Sequence, residues 1–335
     1  MTKRILDNVK DYYGKVIESS RDLKTSACTA DKHALTKSVK EALSLINEEV
    51  NSRYFGCGIT LPPALEGCSV LDLGCGAGRD CFCLSKLVGP NGRVTGIDMT
   101  PELLDIAKKN VDCHTKTFGY SKPNVEFKSG FIEQLDKAGI ERESYDVIVS
   151  NCVINLSPDK EAVLSQAFTA LKEGGELYFS DMYTDSKLSA EIKNDSILWG
   201  EGIAGALHWQ DLLEMAKRIG FTTPILYKAS PICLIDKHIQ TRVGNAKFIS
   251  ATYRLFKLPK HNVPKMLVTY CGNIEGHEHN FKFDIYNNFK TNQRHLVSKE
   301  LSLIFSTTRY AKYFRIEKYE HTLEKTNPFS IAYEE

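Results

Sequence analysis

The segment VLDLGCGAGRD, residues 70–80, places three glycines between an apolar run and a segment of helical character. Gly74, Gly76 and Gly78 permit a tight turn and let a ligand approach the backbone, while the start of the helix offers unpaired N–H groups. The segment therefore predicts the first strand, ligand-binding loop and first helix of an α/β fold.

Short apolar runs alternate with helical segments after this loop, a rhythm typical of a parallel, doubly wound sheet. Two helix starts are marked by Thr100–Pro101 and Ser157–Pro158, and Gly174–Gly175 marks a helix end. Before the loop, residues 2–18 and 35–50 have helical patterns. The predicted strands are 69–74, 93–98, 124–128, 145–150 and 176–181.

The second predicted strand ends in Asp98, twenty residues after Gly78, where a carboxylate can accept hydrogen bonds from both hydroxyls of a ribose. NAD is compatible with this arrangement, but the glycines recur at every second residue and not as G-x-G-x-x-G. Arg79 is followed directly by Asp80, which suits a cationic amino group better than a pyrophosphate. The spacing D-x-G-x-G-x-G followed by a distal acid resembles S-adenosylmethionine-dependent methyltransferases of the seven-strand class. The residues assigned to this ligand are Gly74, Gly76, Gly78, Arg79, Asp80, Asp98 and Met99.

Two further segments follow the third and fourth strands. In GFIEQL, Ile132 is expected to pack on the adenine and Glu133 to meet its exocyclic amine. In SNCVINLSPDK, Asn151 is expected to line the pocket, and Cys152 to lie beside the methyl donor. Both expectations follow from position: each segment begins at the carboxyl end of a predicted strand, and open α/β sheets bind ligands at that edge.

Composition bounds the remaining possibilities. The 335 residues carry a formal charge of +1, so no global field attracts nucleic acid or a membrane surface. The start has no apolar leader, and no segment is long and apolar enough to span a bilayer. A cytoplasmic location with free thiols is expected.

Ten cysteines stand out in this composition. Cys28 and Cys57 lie in predicted loops, and Cys152 lies at the ligand edge of the sheet. Thiolates are soft ligands, so these three together suit a thiophilic acceptor such as trivalent arsenic. The others are expected to be structural: Cys68, Cys75, Cys81, Cys83, Cys113, Cys233 and Cys271.

Longer segments make the chain similar to the arsenite S-adenosylmethionine methyltransferase family from about residue 9 to about residue 258. They are YYGKV, TSACTADK, RYFGCGITLPP, LDLGCGAGRDC, LVGPNGRVTGIDMTPE, SNCVINLSPDK, GGELYFSDMY, LWGEGIAGALHW and SATYRLFKL. The resemblance implies arsenic(III) held by Cys28, Cys57 and Cys152, with Cys57 and Cys152 as the catalytic thiols. It also implies S-adenosylmethionine as cosubstrate, no metal cofactor, and glutathione or thioredoxin as reductant.

One position departs from the family pattern. Where the family has WGEC, this chain has Trp199, Gly200, Glu201 and Gly202, and glycine supplies no ligand. Three thiolates can still form a pyramidal arsenic site, or a glutathione sulfur can take the fourth place. The alternatives are a slowed enzyme or a member that binds arsenic without turning it over. We expect Gly202→Cys to raise arsenite methylation.

The sequence thus predicts an α/β protein with a seven-strand Rossmann-like methyltransferase core, N-terminal helices and a smaller α+β C-terminal domain. The expected function is arsenic detoxification by methylation of arsenite and methylarsenite. A rival is a methyltransferase for a small organic substrate, which would not require the thiols. The predicted divisions are an N-terminal helical segment, the core, an arsenic-binding segment and the C-terminal domain, at 1–66, 67–185, 186–236 and 237–335.

Overall fold

The computed structural model describes residues 2–16, 35–56, 58–234 and 236–319. Cys28 and Cys57 lie outside these ranges. In the described part of the chain, no helix combines the length and apolar character needed to cross a membrane.

An eight-stranded sheet forms the core. Its strands are β1 (Ser69–Leu73), β2 (Arg93–Asp98), β3 (Val125–Ser129), β4 (Tyr145–Asn151), β5 (Leu171–Thr184), β6 (Leu207–His208), β7 (Ile225–Pro231) and β8 (Phe248–Phe256). Seven of them lie in the order β3-β2-β1-β4-β5-β8-β7, and β6 pairs with the end of β5. The first five strands are parallel, as predicted, and β8 is antiparallel to both of its neighbours.

The strand order reverses direction at β1. The chain passes from β1 to β2 and β3 on one side and then returns to β4 on the other. Such a switch point opens a crevice at the carboxyl ends of the strands, where ligands bind in open α/β sheets.

Helices cover both faces of this sheet. They are α1 (Thr2–Asp11), α2 (Lys37–Ser44), α3 (Glu48–Ser52), α4 (Arg79–Val88), α5 (Pro101–Lys109), α6 (Val111–Thr117), α7 (Lys160–Ala170), α8 (Ala190–Lys193), α9 (Ser196–Gly200), α10 (Trp209–Ile219) and α11 (Lys237–Val243). Successive strand side chains point to opposite faces. Leu71 and Leu73 therefore join the apolar cluster under α7 and α10, whereas Val70 joins the cluster under α2 and α4.

Three helix boundaries differ from the sequence prediction. The first helix ends at Asp11 and continues as a π-helical turn, Tyr12–Val16. The second is split because the side chain of Asn47 accepts the Glu49 N–H and starts α3. Helix α7 begins after Asp159 and not after Ser157, and it ends at Ala170, before the two glycines.

A smaller C-terminal unit, residues 266–318, packs beside the core. It contains β9 (Met266–Tyr270), β10 (Asn280–Lys282), β11 (Asn288–Lys290), β12 (Arg294–Val297), α12 (Lys299–Thr307) and β13 (Phe314–Lys318). Strands β12, β9 and β13 form an antiparallel sheet, and β10 pairs with β11. An aromatic cluster that includes Phe281, Phe283 and Phe305 fills its interior.

Beyond about residue 240 the sequence predicts an antiparallel sheet that includes KFISATYRLFKL, and a helix from about His295 to Tyr310 that packs on it. Two of these expectations were wrong. The segment KFISATYRLFKL forms β8 of the main sheet and not a strand of the C-terminal sheet. His295 lies in β12, and the helix starts four residues later, because Ser298 accepts the Leu301 N–H as its N-cap. The division of the chain into four domains remains a prediction.

A buried ionic group joins the core to the C-terminal unit. Glu176 on β5 is fully buried and accepts hydrogen bonds from Nε and Nη2 of Arg254 on β8, at 2.6 and 3.2 Å. Arg309, which follows α12, forms an ion pair with the same carboxylate at 2.6 Å. The two arginine charges hold the pKa of Glu176 below its usual value although burial alone would raise it.

Candidate functional site

The glycine loop connects β1 to α4 at the switch point of the sheet. Gly74 has φ +72°, and a Cβ there would lie 2.3 Å from Cγ1 of Val153. Gly78 has φ +87°, and a Cβ there would lie 2.7 Å from the Phe127 ring. Both positions require glycine, for conformation and for space.

Asp98 lies at the end of β2, facing this loop. Its Oδ2 accepts the Gly76 N–H and its Oδ1 accepts the Thr100 N–H, both at 2.8 Å. Burial raises the pKa of Asp98, and these two backbone bonds oppose the rise. Each carboxylate oxygen accepts more than one hydrogen bond, so the group can also accept from a ligand.

Arg79 and Asp80 open α4 as an ion pair, with 3.0 Å between Nη2 and Oδ1. The guanidinium lies 3.2 Å from the centre of the Tyr54 ring. Arg79 Nη2 is buried, and apart from this ion pair it finds no acceptor among the described residues. The pair thus offers a cation and an anion side by side at the start of a helix.

Asp72 is a second acid behind the loop, and the sequence did not assign it a role. Burial, reinforced by the charge of Asp80, raises its pKa to about 8. The Cys81 thiol donates to its Oδ2 at 3.2 Å. Asp72 is therefore neutral at physiological pH unless a cation is bound nearby.

The 3₁₀ turn Ile132–Gln134 follows β3 at the same edge. Ile132 is buried, and Phe131 beside it is 42% exposed. The Ser157 hydroxyl donates to Glu133 Oε1 and accepts the Asp159 N–H at 3.1 Å, and the Asp159 side chain caps α7 by accepting the Ala162 N–H at 3.0 Å. Together these side chains give an apolar wall with one carboxylate.

Asn151, the last residue of β4, joins the glycine loop to the N-terminal part of the chain. Its Nδ2 lies 2.9 Å from Asp80 Oδ2, 2.7 Å from the Tyr54 hydroxyl and 2.9 Å from the Gly58 carbonyl oxygen. A Cβ at Gly56 would lie 2.7 Å from this nitrogen. Glycine at position 56 thus allows the backbone there to approach Asn151.

Cys152 follows Asn151 in an uncommon backbone conformation, with φ +59°. Its N–H donates to the Ser180 carbonyl on β5 at 2.8 Å. The residue is disulfide-bonded in this structure. The thiolate chemistry expected of Cys152 therefore requires its reduction first.

These residues surround one cleft of about 950 Å³ at the carboxyl ends of β1, β2 and β4. Leu6, Val9 and Tyr13 of the N-terminal segment also line it. Gly78 is not part of its wall. The predicted residues that line the cleft are Gly74, Gly76, Arg79, Asp80, Asp98, Met99, Ile132, Glu133, Asn151 and Cys152.

Gly202 lies just after α9 and is not among the residues that line the cleft. Its φ is +76°, and a Cβ there would lie 2.5 Å from Cε of Met182. The adjacent Glu201 accepts a hydrogen bond from the Tyr12 hydroxyl at 2.7 Å, and the Tyr13 hydroxyl donates to the Gly200 carbonyl at 3.0 Å. The N-terminal segment thus holds the stretch that replaces WGEC.

The cysteines predicted to be structural fall into two groups. Cys68, Cys75, Cys81 and Cys83 are buried free thiols, and burial raises their pKa values. The sulfurs of Cys75 and Cys81 pack around Gly96. The remaining three are more accessible: Cys271 is half-buried, and Cys113 and Cys233 are exposed.

Sequence reasoning missed several residues of the cleft. Asp72 is the first acid of the D-x-G-x-G-x-G spacing, which was noted without a role for that residue. Tyr54 lies three residues before Cys57, and its stacking on Arg79 carries no sequence signal. Phe131 and Thr100 adjoin predicted residues, so closer attention to neighbours would have found both.

Comparison with known proteins gives a consistent result. Residues 64–220 match the family described as "Methyltransferase domain", and residues 263–334 match "Arsenite methyltransferase C-terminal domain". The arsenite methyltransferase of Rattus norvegicus is 45% identical over 94% of this chain and 86% of its own length. That of the bacterium Aquipseudomonas alcaligenes is 45% identical over 92% of this chain and 90% of its own.

A solved structure agrees. The crystal structure of an arsenic(III) S-adenosylmethionine methyltransferase from Chlamydomonas reinhardtii superposes with a TM-score of 0.81 at 41% identity, covering 85% of this chain and 97% of that one. This likeness covers both the core and most of the remaining chain. The protein described here therefore belongs to the arsenite methyltransferase family.

Proposed function

We propose that this protein transfers a methyl group from S-adenosylmethionine to thiolate-bound trivalent arsenic, and that arsenite and methylarsenite are its substrates. The observation that carries the proposal is the position of Cys152. It lines the same cleft as the glycine loop and Asp98, so reduction of its disulfide would place a thiol next to a nucleoside-binding arrangement.

The residues of the cleft fit S-adenosylmethionine. Nη2 of Arg79 suits the methionine carboxylate, and Asp80 and Asp72 suit its ammonium group. Asp98 suits the ribose hydroxyls, and Ile132 the adenine. When bound, S-adenosylmethionine supplies an electrophilic methyl group on a sulfonium sulfur, which departs as a neutral thioether.

The protein's part in the reaction is to hold the acceptor and orient it. Reduced Cys152, with Cys57 and Cys28, would hold arsenic(III) as thiolates, and the lone pair of arsenic forms the new As–C bond. No proton leaves the arsenic, so no side chain has to act as a general base. Proximity and orientation are the main contributions of the site.

A thiol reductant completes the proposal. Forming the As–C bond with its own lone pair takes arsenic formally from III to V, so a second round requires two electrons. The disulfide at Cys152 requires two more before it can bind arsenic. Glutathione or thioredoxin can supply both pairs of electrons: thiol–disulfide exchange reduces the protein disulfide, and oxidation of two further thiols to one disulfide returns arsenic(V) to arsenic(III).

Gly202 favours a second candidate, a member of the family that binds arsenic but turns it over slowly. The position has no side chain, and its left-handed backbone together with Met182 disfavours any residue with a Cβ. Three thiolates, or three and a glutathione sulfur, would then form the site.

The test is a direct assay of reduced protein with arsenite, S-adenosylmethionine and glutathione, followed by separation of mono- and dimethylated arsenic. We expect methylated product from the native chain. Tight arsenite binding without product would support the slow or binding-only candidate. Methylation of an organic acceptor by Cys152→Ser would support the small-molecule rival and contradict the arsenic proposal.

A further inference from the structure

The turn that follows Cys152, Ile154–Leu156, is attached to strand β5 by side chains as well as by backbone. The Asn155 N–H donates to Asp181 Oδ2 at 2.9 Å, and Asn155 Nδ2 donates to the Met182 carbonyl at 2.6 Å. Both hydrogen bonds are buried, and Asn155 and Asp181 are each 2% exposed. Two adjacent residues of one strand therefore fix the turn in place.

The Asp181 carboxylate accepts backbone N–H groups on both of its oxygens. Its Oδ1 accepts the Met182 N–H at 3.0 Å, in addition to the bond from Asn155 to Oδ2. Burial raises the pKa of Asp181 to about 7, and these N–H groups and the charge of Lys160 oppose the rise. Above that pH the ionised group offers two acceptor oxygens, whereas an amide of the same size would offer one acceptor and one donor.

The backbone of Cys152 has a conformation that such contacts can maintain. Its φ of +59° is uncommon for a residue other than glycine, and such conformations persist where the surrounding structure fixes them. The Ser180 carbonyl accepts the Cys152 N–H, and the next residue along β5, Asp181, accepts the N–H of Asn155. Both ends of the stretch from 152 to 155 are thus attached to one strand.

Packing against two glycines fixes the same stretch from other directions. A Cβ at Gly74 would lie 2.3 Å from Cγ1 of Val153, and a Cβ at Gly205 would lie 1.8 Å from the Asn155 carbonyl oxygen. Cys152 and Val153 both line the cosubstrate cleft. A shift of the turn would therefore move the Cys152 side chain relative to the cosubstrate.

We propose that Asp181 and Asn155 are positioning residues for Cys152. They hold the left-handed backbone at position 152 and so keep the Cys152 side chain at the wall of the cosubstrate cleft, although neither of them lines that cleft. The consequence for arsenic rests on the proposed function, because it takes reduced Cys152 as a ligand. The position of Cys152 itself can be measured without arsenic.

Asp181→Asn tests the proposal, because asparagine keeps the size of the side chain but turns an amide donor toward one of the two backbone N–H groups. Reduced protein is alkylated with iodoacetamide at about pH 8, and peptide mass spectrometry gives the rate at Cys152 alone. In the native chain, S-adenosylmethionine at about ten times its Kd should slow this alkylation roughly 10-fold. In Asp181→Asn the slowing should fall below about 2-fold, with the Kd for S-adenosylmethionine unchanged.

Initial rates of arsenite methylation give a second readout. A misplacement of about 1 Å can cost roughly 100-fold in rate, so we expect the kcat of Asp181→Asn to fall about 10- to 100-fold. The KM for S-adenosylmethionine should stay within about 2-fold, because neither positioning residue lines the cleft. Asn155→Ala removes only the bond to Met182 and should change both readouts in the same direction by less. It serves if Asp181→Asn does not fold.

Asp284→Asn is the matched control. Asp284 is also buried, and its Oδ1 accepts the N–H groups of Tyr286 and Asn287, both at 2.7 Å, in the C-terminal unit. The variant should lower Tm as Asp181→Asn does, while the protection of Cys152 and the kcat stay at their native values.

The outcomes distinguish this inference from the proposed function. The positioning role is wrong if S-adenosylmethionine does not protect Cys152 in the native chain, if it protects Cys152 equally in Asp181→Asn, or if Asp284→Asn loses protection as fully. An unchanged kcat in Asp181→Asn, from a native chain that methylates arsenite, also overturns it. If the native chain methylates no arsenite, the proposed function fails, and the alkylation rates still decide whether Asp181 and Asn155 position Cys152.

Discussion

The two halves of the cleft are built in different ways. The cosubstrate half consists of a glycine loop, a strand end and a helix start that are close in sequence, and Asp98 is fixed by two backbone N–H groups. The thiol half depends on distant residues: Asn151 and Arg309 contact the two ends of residues 58–64, and the Ser180 carbonyl accepts the Cys152 N–H. We infer that cosubstrate binding is the more local property and arsenic binding the more distributed one.

Loss of the Cys152 thiol should have the largest effect on arsenite methylation, and it should affect only the thiol half of the cleft. We expect Cys152→Ser to lower the rate of arsenite methylation more than about 100-fold. Loss of a residue that only orients a ligand typically costs about 10- to 100-fold, and loss of the ligand itself should cost more. Binding of S-adenosylmethionine, followed by calorimetry, should be unchanged. Cys113→Ser, on the exposed face of α6, is the matched control and should behave like the native chain.

Asp98→Asn should affect the other half. It removes a charged acceptor, and hydrogen bonds to charged groups contribute about 1.5–3 kcal/mol, so the KM for S-adenosylmethionine should rise roughly 10- to 100-fold. The Kd for phenylarsine oxide should not change. Asp105→Asn on the exposed side of α5 provides the control. A parallel loss of arsenical binding in Asp98→Asn would contradict the separation of the two halves.

Asn151→Ala should affect both halves of the cleft, because this side chain contacts Asp80 in the cosubstrate half and Gly58 in the thiol half. We expect the KM values for arsenite and S-adenosylmethionine both to rise, each by about 10-fold. Initial rates with each substrate varied in turn measure the two constants. A change in only one of them would show that Asn151 serves a single half.

Burial of Asp72 predicts a smaller effect, on stability. Its pKa is about 8 in the folded chain against an ordinary value of 3.8, so the stability it contributes is full below about pH 4 and is lost as pH rises through about 8. Asparagine does not ionise, so Asp72→Asn should not lose this stability as pH rises. Thermal unfolding without ligand should show the variant gaining on the native chain between pH 5 and 8, by at most about 1.4 kcal/mol per pH unit. A constant difference across that range would contradict a buried neutral Asp72.

Gly202→Cys should give the smallest change. A fourth thiol should raise arsenite methylation about 2- to 3-fold, while the left-handed backbone and the contact with Met182 lower stability by about 1 kcal/mol. Gly202→Ala is the matched control, with the same loss of stability and no gain in rate. Equal rates in both variants would show that the missing cysteine does not limit the enzyme.

The sequence predicted the local half well. The parallel strands β1 to β5, the glycine loop and the acid ending β2 follow from patterns within thirty or so residues, and the structure adds the strand order that brings them together. The residues assigned to the cosubstrate lie around one cleft, except Gly78, although their individual roles remain predictions.

The thiol half of the cleft could not be predicted from sequence patterns in the same way. Nothing near Arg309 in the sequence indicates that it reaches Ala64, because the contact joins residues that lie 245 positions apart in the chain. The antiparallel strand β8 carries the same apolar alternation as a strand of the smaller sheet, so its pattern did not identify its sheet. Ser157 precedes a proline as a helix cap often does, but Asp159, two residues later, accepts the Ala162 N–H and is the cap of α7.

The backbone of Cys152 has a consequence for how the chain tolerates mutation. At φ +59° glycine is the residue with least strain, so in the reduced chain a cysteine there lowers the free energy of unfolding. In a library covering position 152, selection for thermal resistance under reducing conditions and selection for arsenic methylation should therefore favour different residues. Under oxidising conditions the disulfide opposes this difference, because its loss also lowers stability.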